Sequence, residues 1–292
     1  MLANYHTHTT FCDGKNSPEE VILSAIAKGF SAIGFSGHGY TAYDLRYCMK
    51  DTEAFKQAIP PLKEKYKNQI QVYMGTEEDA FAPVNRSDYE YMIGSCHYFR
   101  IDRYQASHCG SDALTDAAQS QERADTSRYA YYPIDSGYGY FKKCLALFDN
   151  DPIRLADAYY GAFVPYILKR KPDIIGHFDL ITKFDEKDTD MFLRNAEYEA
   201  LAEKYTKEAL KADCIFEVNT GAISRGYRQT PYPSEQRLHV LKREGGKVML
   251  SSDSHAADTI DCSFAETRKR LKDIGFQYVY VLYDGEFQKD YI

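Results

Sequence analysis

Leu2-Ala3-Asn4-Tyr5-His6-Thr7-His8, close to the N-terminus, is a short, largely apolar run that ends in two histidines one residue apart. Side chains on extended chain repeat with a period of two, so His6 and His8 leave the end of a predicted strand on the same side. That is the geometry of a chelate. Eight histidines in 292 residues give about 0.2 chance pairs at this spacing, so one pair alone is weak evidence. Near the other end of the chain Lys247–Leu250 runs into Ser251-Ser252-Asp253-Ser254-His255, the same spacing with a carboxylate and an imidazole. The second dyad changes the odds.

Between these two stretches, short β-type runs alternate with helical patterns. Candidate strands are Leu2–Tyr5, Ala32–Phe35, Ile70–Met74, Tyr91–Gly94, Asp173–Ile175, Cys214–Val218, Lys247–Leu250 and Gln277–Leu282. This alternation marks an α/β architecture with a mainly parallel sheet or barrel. Ser17, Pro18 and Glu20 predict a capped helix that stops at Gly29, and Ser263 to Gly275 predicts another. Phe192 to Ala212 reads as the longest helical stretch, while 102–139, rich in Ser, Asp, Gln, Gly and Tyr, reads as an irregular insert in a single domain spanning 1–292. In parallel α/β folds the C-terminal strand ends open onto one face. His6 and His8, His38, Glu77, His97, His177, Asn219, and Asp253 with His255 each follow a candidate strand, so six of the eight histidines are expected at one place.

Imidazoles and carboxylates together suit Zn²⁺, Mn²⁺ or Fe²⁺. The seven cysteines are scattered without a CxxC pair and read as reduced thiols, which argues against a structural zinc knuckle or a disulfide framework. So many ligands imply more than one ion, the arrangement used to hydrolyse phosphate esters. With 36 Lys+Arg against 43 Asp+Glu, a net charge of −7 gives no footprint for a nucleic-acid backbone. Apolar runs fall short of the roughly 20 residues that cross a bilayer, and the expectation is a cytoplasmic protein without membrane or nucleic-acid partners. Oligomeric state is not legible.

Taken in order, His6-Thr7-His8 with Asp13-Gly14, Ser36-Gly37-His38, Gly75-Thr76-Glu77-Glu78-Asp79, Ile93-Gly94-Ser95-Cys96-His97, Ile174-Ile175-Gly176-His177-Phe178-Asp179, Glu217-Val218-Asn219-Thr220 and Ser251-Ser252-Asp253-Ser254-His255 resemble the PHP (polymerase and histidinol phosphatase) family, in its histidinol-phosphatase branch. Ser36-Gly37-His38 departs from the acidic residue more usual before that histidine, and about 100–135 has no clear counterpart. The resemblance implies a distorted (β/α)7 TIM-like barrel with its metal site at the C-terminal strand ends. It implies three divalent ions (Zn, Mn or Fe): one on His6, His8, Glu77 and Asp253, one on Glu77, His97 and His177, and one on Asp13, His38 and His255. Glu77 is chosen over Glu78 because the family places its glutamate two residues after the glycine, here Gly75.

The resemblance further implies a metal-dependent phosphatase that converts the small substrate L-histidinol phosphate to L-histidinol and phosphate. Arg225, then Arg228, are the candidates for the phosphate, since a guanidinium offers a fork of donors to phosphate oxygens. A metal-bound water, Asp253 and His255 are the candidates to protonate the leaving alkoxide. Another small phosphate ester is the first alternative; a nuclease or a noncatalytic interaction module comes after it. His108 and His239 read as surface or packing histidines, and Cys12 and Cys96 as space-filling thiols. Tyr40, Tyr43, Asp44 and Tyr160 are candidates for the far end of the substrate pocket.

Overall fold

The computed structural model describes residues 1–103 and 128–292; His108 lies outside them. Seven parallel strands form one sheet: β1 (Ala3–Asn4), β2 (Ala32–Phe35), β3 (Gln71–Asp79), β4 (Tyr91–Ser95), then β7 (Ile174–Ile175), β8 (Ile215–Asn219) and β9 (Lys247–Ser251), in that spatial order. A parallel bridge between Thr7 and Ser254 brings the two edges together. His8 N–H donates to the Ser254 carbonyl at 2.8 Å and Ser254 N–H to the His6 carbonyl at 3.2 Å. The sheet is thus a nearly closed barrel, and its seam lies between the two dyads.

Helices cover the outside, among them α1 (Pro18–Ala27), α2 (Thr52–Tyr66), α3 (Tyr138–Ala146) and α4 (Pro152–Arg170). Next come α5 (Ala196–Ala209), the single turn α6 (Gly221–Ser224), α7 (Glu235–Arg243) and α8 (Phe264–Ile274). At α1 the Ser17 hydroxyl accepts from Glu20 N–H at 3.3 Å while Ser17 N–H donates to the Glu20 carboxylate at 2.7 Å, the reciprocal capping box expected from the sequence.

Three expectations need correction. Among the described residues the longest helix is α4, 19 residues, not the 192–212 stretch, whose α-helical part covers 14. Gly161, Pro165 and a run of aromatics hide α4 in the sequence, yet its buried face carries Leu155, Tyr159, Phe163 and Ile167 at helical spacing. The eighth candidate strand is not a barrel strand: β10 (Tyr278–Tyr283) pairs antiparallel with β11 (Glu286–Tyr291). Its Val281 and Leu282 pack against Ala3, Tyr5, Tyr73 and Tyr91 at the N-terminal end of the barrel, where the Tyr5 hydroxyl donates to the Leu282 carbonyl at 2.6 Å. Within the stretch read as irregular, β6 (Tyr129–Pro133) pairs antiparallel with β5 (Tyr98–Asp102), and α3 follows. Alternating tyrosines obscured that ribbon. Its Tyr131 stacks on Tyr43 at 3.9 Å between centroids, which seats it on the rim of the barrel mouth.

Candidate metal centre

The C-terminal strand ends converge as parallel topology requires. Glu77, buried on β3, is the hub. Its Oε2 lies 2.8 Å from His38 Nδ1, 3.3 Å from His6 Nε2 and 3.7 Å from His8 Nε2; its Oε1 lies 3.0 Å from His177 Nε2 and 3.3 Å from His97 Nε2. Asp253 Oδ1 sits 3.3 Å from His8 Nε2 and 3.8 Å from His6 Nε2. Asp13 reaches His255 Nε2 at 3.2 Å, His8 Nδ1 at 3.4 Å and His38 Nε2 at 3.8 Å. All nine residues proposed as ligands on sequence grounds therefore meet in one cluster.

Local backbone explains how they get there. Asp13 stands in a loop folded against the end of β1, where a Cβ on Gly14 would fall 2.4 Å from the His8 carbonyl carbon. No other residue fits. Asp253 has φ +46°, left-handed backbone in a non-glycine residue, the kind of local strain that persists where surrounding structure fixes a functional group.

The donor set fits metal ions. His6 Nε2, His8 Nε2, Asp13 Oδ1 and Glu77 Oε2 are buried and, though close to one another's rings and carboxylates, make no well-aligned hydrogen bond, an arrangement costly in a protein interior unless a cation satisfies it. Three groups, His8/Asp13/His38/His255, His6/His8/Glu77 and His38/Glu77/His97, each place their ligand atoms within 4.8 Å of one another. Burial alone would push Glu77 and Asp253 up. The imidazoles His6, His97 and His38 around Glu77, and Arg225 with His6 beside Asp253, hold both well below the usual carboxylate range. Burial opposes charge on His6 too, but Glu217, Glu77 and Asp253 raise it to about 10. This mutual pairing is what divalent cations would replace.

A second layer, which the sequence reading did not assign, orients the ligands. Glu217 on β8 lies 2.5 Å from His6 Nδ1 and accepts His177 N–H at 2.8 Å and the Asn219 amide at 2.9 Å. Asp79 accepts His97 N–H at 2.9 Å and sits 3.4 Å from its Nδ1. Ser95 donates to Glu77 Oε1 at 2.7 Å. Carboxylates that fix the far nitrogen of an imidazole are how metal sites set tautomer and ring angle. Buried acids two residues from a ligand on the same strand face, as Asp79 is from Glu77, were the available signal.

The cluster floors a cavity of about 230 Å³ whose wall includes Arg225, Lys183, Asp135, Tyr98 and Tyr227. Arg225 donates to the Asp253 carboxylate at 2.9 Å and to its carbonyl at 2.8 Å, which aims the guanidinium into the cavity. Arg228 goes elsewhere. Buried over the Tyr232 ring, it bonds Thr182, Thr230 and Glu186 and does not line the cavity. Of the pocket candidates, Tyr160 is buried in the helical layer against Tyr198, and Tyr40 is exposed. Tyr43 donates to Asp79 at 2.6 Å, and Asp44 accepts from Tyr98 at 3.0 Å, both just behind the wall. His239 lies exposed on α7. Cys96 is buried in the hydrophobic core, and Cys12 packs 3.5 Å from His8 Nδ1.

A nearly closed parallel barrel that gathers imidazoles and carboxylates at one rim defines an α/β barrel protein with a rim suited to divalent metal. The PHP domain family matches residues 4–221, and the chain belongs to that family. A relative in Schizosaccharomyces pombe, named probable histidinol-phosphatase, is 24% identical over 308 residues, covering 98% of this chain and 90% of that protein. One of the same name in Deinococcus radiodurans is 24% identical, covering 94% of each. Among solved structures, the Lactococcus lactis histidinol phosphate phosphatase, complexed with zinc, L-histidinol and phosphate, has a TM-score of 0.67 at 18% identity, covering 99% of both chains. A chain from Listeria monocytogenes reaches 0.71 at 18% identity, covering 90% of this chain and 99% of that one. Among the described residues no helix is long and apolar enough to cross a membrane.

Proposed function

We propose that this protein is a metal-dependent phosphomonoesterase that hydrolyses L-histidinol phosphate to L-histidinol and phosphate. The carrying observation is that seven of the nine ligand-competent side chains line one small cavity together with Arg225, while His6 and His8 lie against Glu77 and Asp253 beneath it, which puts a cationic cradle where a phosphoryl group can enter. The names of the two relatives and the zinc, histidinol and phosphate bound to the Lactococcus protein support this substrate.

His6, His8, Glu77 and Asp253, then Glu77, His97 and His177, then Asp13, His38 and His255 would hold three divalent ions, of which zinc, manganese and iron all suit the donors. Such ions supply Lewis acidity toward phosphoryl oxygens and lower the pKa of water. Arg225 binds the phosphoryl oxygens and offsets the charge that builds on them, the main source of acceleration in phosphoryl transfer. Asp253 fixes its orientation. The leaving alkoxide needs a proton, and Asp253 and His255 both face the cavity. Against burial, Arg225 keeps the Asp253 carboxylate ionised, and burial with His8 holds His255 below the usual imidazole range, so neither side chain is favoured over a water that bound ions would acidify.

The small volume of the cavity and the net charge of −7 favour a small ester over a nucleic acid. Metal-loaded protein assayed against L-histidinol phosphate, other phosphomonoesters and single-stranded DNA tests the reading. Turnover of histidinol phosphate above the others is expected; activity confined to another ester moves the substrate, and cleavage of DNA overturns the class.

A further inference from the structure

The loop between β2 and α2 sends one side chain behind the wall of the metal site. Tyr43 is buried, and its ring is held on two sides: it stacks on Tyr131 of β6 at 3.9 Å between centroids, with the planes 5° apart, and meets Tyr98 of β5 edge-on at 5.0 Å. The next residue pins the loop again. Asp44 accepts from the Tyr98 hydroxyl at 3.0 Å and pairs with Arg46 at 2.6 Å. Stacked and edge-on contacts are made by rings and require no hydroxyl. The Tyr43 hydroxyl nonetheless points inward and donates to Asp79 Oδ1 at 2.6 Å.

Asp79 passes that contact on. Its Oδ1 also accepts Phe81 N–H at 3.0 Å, while its Oδ2 accepts His97 N–H at 2.9 Å and lies 3.4 Å from His97 Nδ1; on the far side of the ring, His97 Nε2 faces Glu77 at 3.3 Å. His6 is steadied more tightly, with Glu217 at 2.5 Å from its Nδ1. The longer approach to His97 leaves its ring angle sensitive to how the Asp79 carboxylate is turned, and Tyr43 grips that carboxylate from outside its own strand. Burial and the Asp79 charge push the Tyr43 hydroxyl far above the usual phenol range, so it stays a donor. Tyr43 does not line the cavity, and its effect on the site therefore passes through Asp79.

We propose that Tyr43 is a positioning residue for the metal centre: its hydroxyl fixes the Asp79 carboxylate, which sets the ring of His97, so that the seating of the β2–α2 loop on the β5–β6 ribbon reaches the ion that Glu77, His97 and His177 would hold. The inference rests on the metal-centre reading and not on the identity of the ester. Carboxylates behind a ligand are worth roughly 10- to 100-fold in metal affinity, and Tyr43, one hydrogen bond further out, should be worth about 10-fold.

Tyr43→Phe keeps both ring contacts and removes only the hydroxyl. Two readouts decide its role. In metal-free protein, amide exchange followed by NMR should show the His97 N–H, which Asp79 accepts, exchanging roughly 10-fold faster in the variant, with Ile93 and Gly94 on β4 unchanged. In a competition titration with a chromophoric chelator, Tyr43→Phe should weaken one of the bound zinc ions by about 10-fold and Asp79→Asn should weaken it at least as much. The double variant should fall short of the product of the two losses, because the hydroxyl acts through that carboxylate. In a protein that binds zinc, either effect without the other, or losses that multiply, overturns the relay. Faster exchange throughout β4 would make the hydroxyl a general support of the fold and overturns it too. Wild type that binds no zinc, while Tyr43→Phe still frees the His97 amide, refutes the metal-centre reading and keeps Tyr43 as the residue that positions His97; no zinc and an unchanged amide refute both.

Discussion

Arg225 and Glu77 carry the sharpest tests at the scale of single residues. Removing Arg225 takes away a planar donor fork that strengthens as charge reorganises on phosphorus, so Arg225→Ala should lower kcat/KM for histidinol phosphate by roughly 10²-fold, about 2.7 kcal/mol. Arg225→Lys should recover only part, since a point charge replaces two parallel donors. Elemental analysis separates binding from scaffolding: a variant that also loses metal would show that the guanidinium serves chiefly to hold Asp253. Glu77 and its neighbour Glu78 point to opposite sides of β3, and the structure gives them different work. Glu77 faces five imidazoles, whereas Glu78 is buried against Arg170, which reaches it at 2.7 and 2.8 Å, and against Tyr166 at 2.8 Å. Glu77→Ala should abolish metal binding and hydrolysis together. The choice between these glutamates came from the family spacing, Glu77 standing two residues after Gly75; a strand side chain has only two directions, so Glu78 then points away. The preference for Arg225 over Arg228 rested on the likeness of the run from Asn219 to Arg225 to a family segment that ends in a basic residue, and the separate fates of the two guanidiniums, one beside Asp253 and one beside Thr182, follow from contacts between segments that no local pattern records.

Elements report through their ends and their ties. The Glu78–Arg170 pair links β3 to the last turn of α4, with the carboxylate fully buried and the guanidinium about 29% exposed. Glu78→Ala strands a cation at the edge of the interior and should destabilise the fold by about 3 kcal/mol, read in a denaturant midpoint, while metal content in the folded protein holds. Loss of metal with no loss of stability would reverse the assignment. Glu217 supports the site from β8 in another way, by fixing His6. Glu217→Gln should weaken metal affinity roughly 10- to 100-fold in a competition titration with a chromophoric chelator, as second-layer carboxylates do; unchanged affinity would reduce Glu217 to a packing residue. Parallel strands were readable because each is a short apolar run flanked by polar chemistry. Elements dressed in tyrosine were not: β6 alternates aromatics on a rim, and α4 carries helix-disfavouring Gly161 and Pro165 on its exposed face; β10 was legible as a strand, but its antiparallel hairpin under the barrel was not.

Across the whole molecule, the ligands come from residues 6 to 255, so a bound metal cluster ties together strand ends that backbone hydrogen bonds join sparsely. β1 and β7 each have two residues, and the seam between β1 and β9 is closed by the Thr7–Ser254 bridge. Metal loading should therefore stabilise the barrel as well as activate it. Protein purified without chelator should hold two to three transition-metal ions per chain, and excess chelator should abolish hydrolysis and lower Tm. At free metal about 100-fold above Kd, linkage adds about 2.7 kcal/mol. For a domain of this size that is a rise of roughly 4–5 °C. Readdition of zinc or manganese should restore both properties along one titration curve, since the same nine side chains serve both. Activity that survives in excess chelator, with no metal bound, would sink the metal-centre reading. A Tm indifferent to metal while activity returns would mean that the preformed carboxylate–imidazole pairs already close the seam, leaving the ions a purely chemical role.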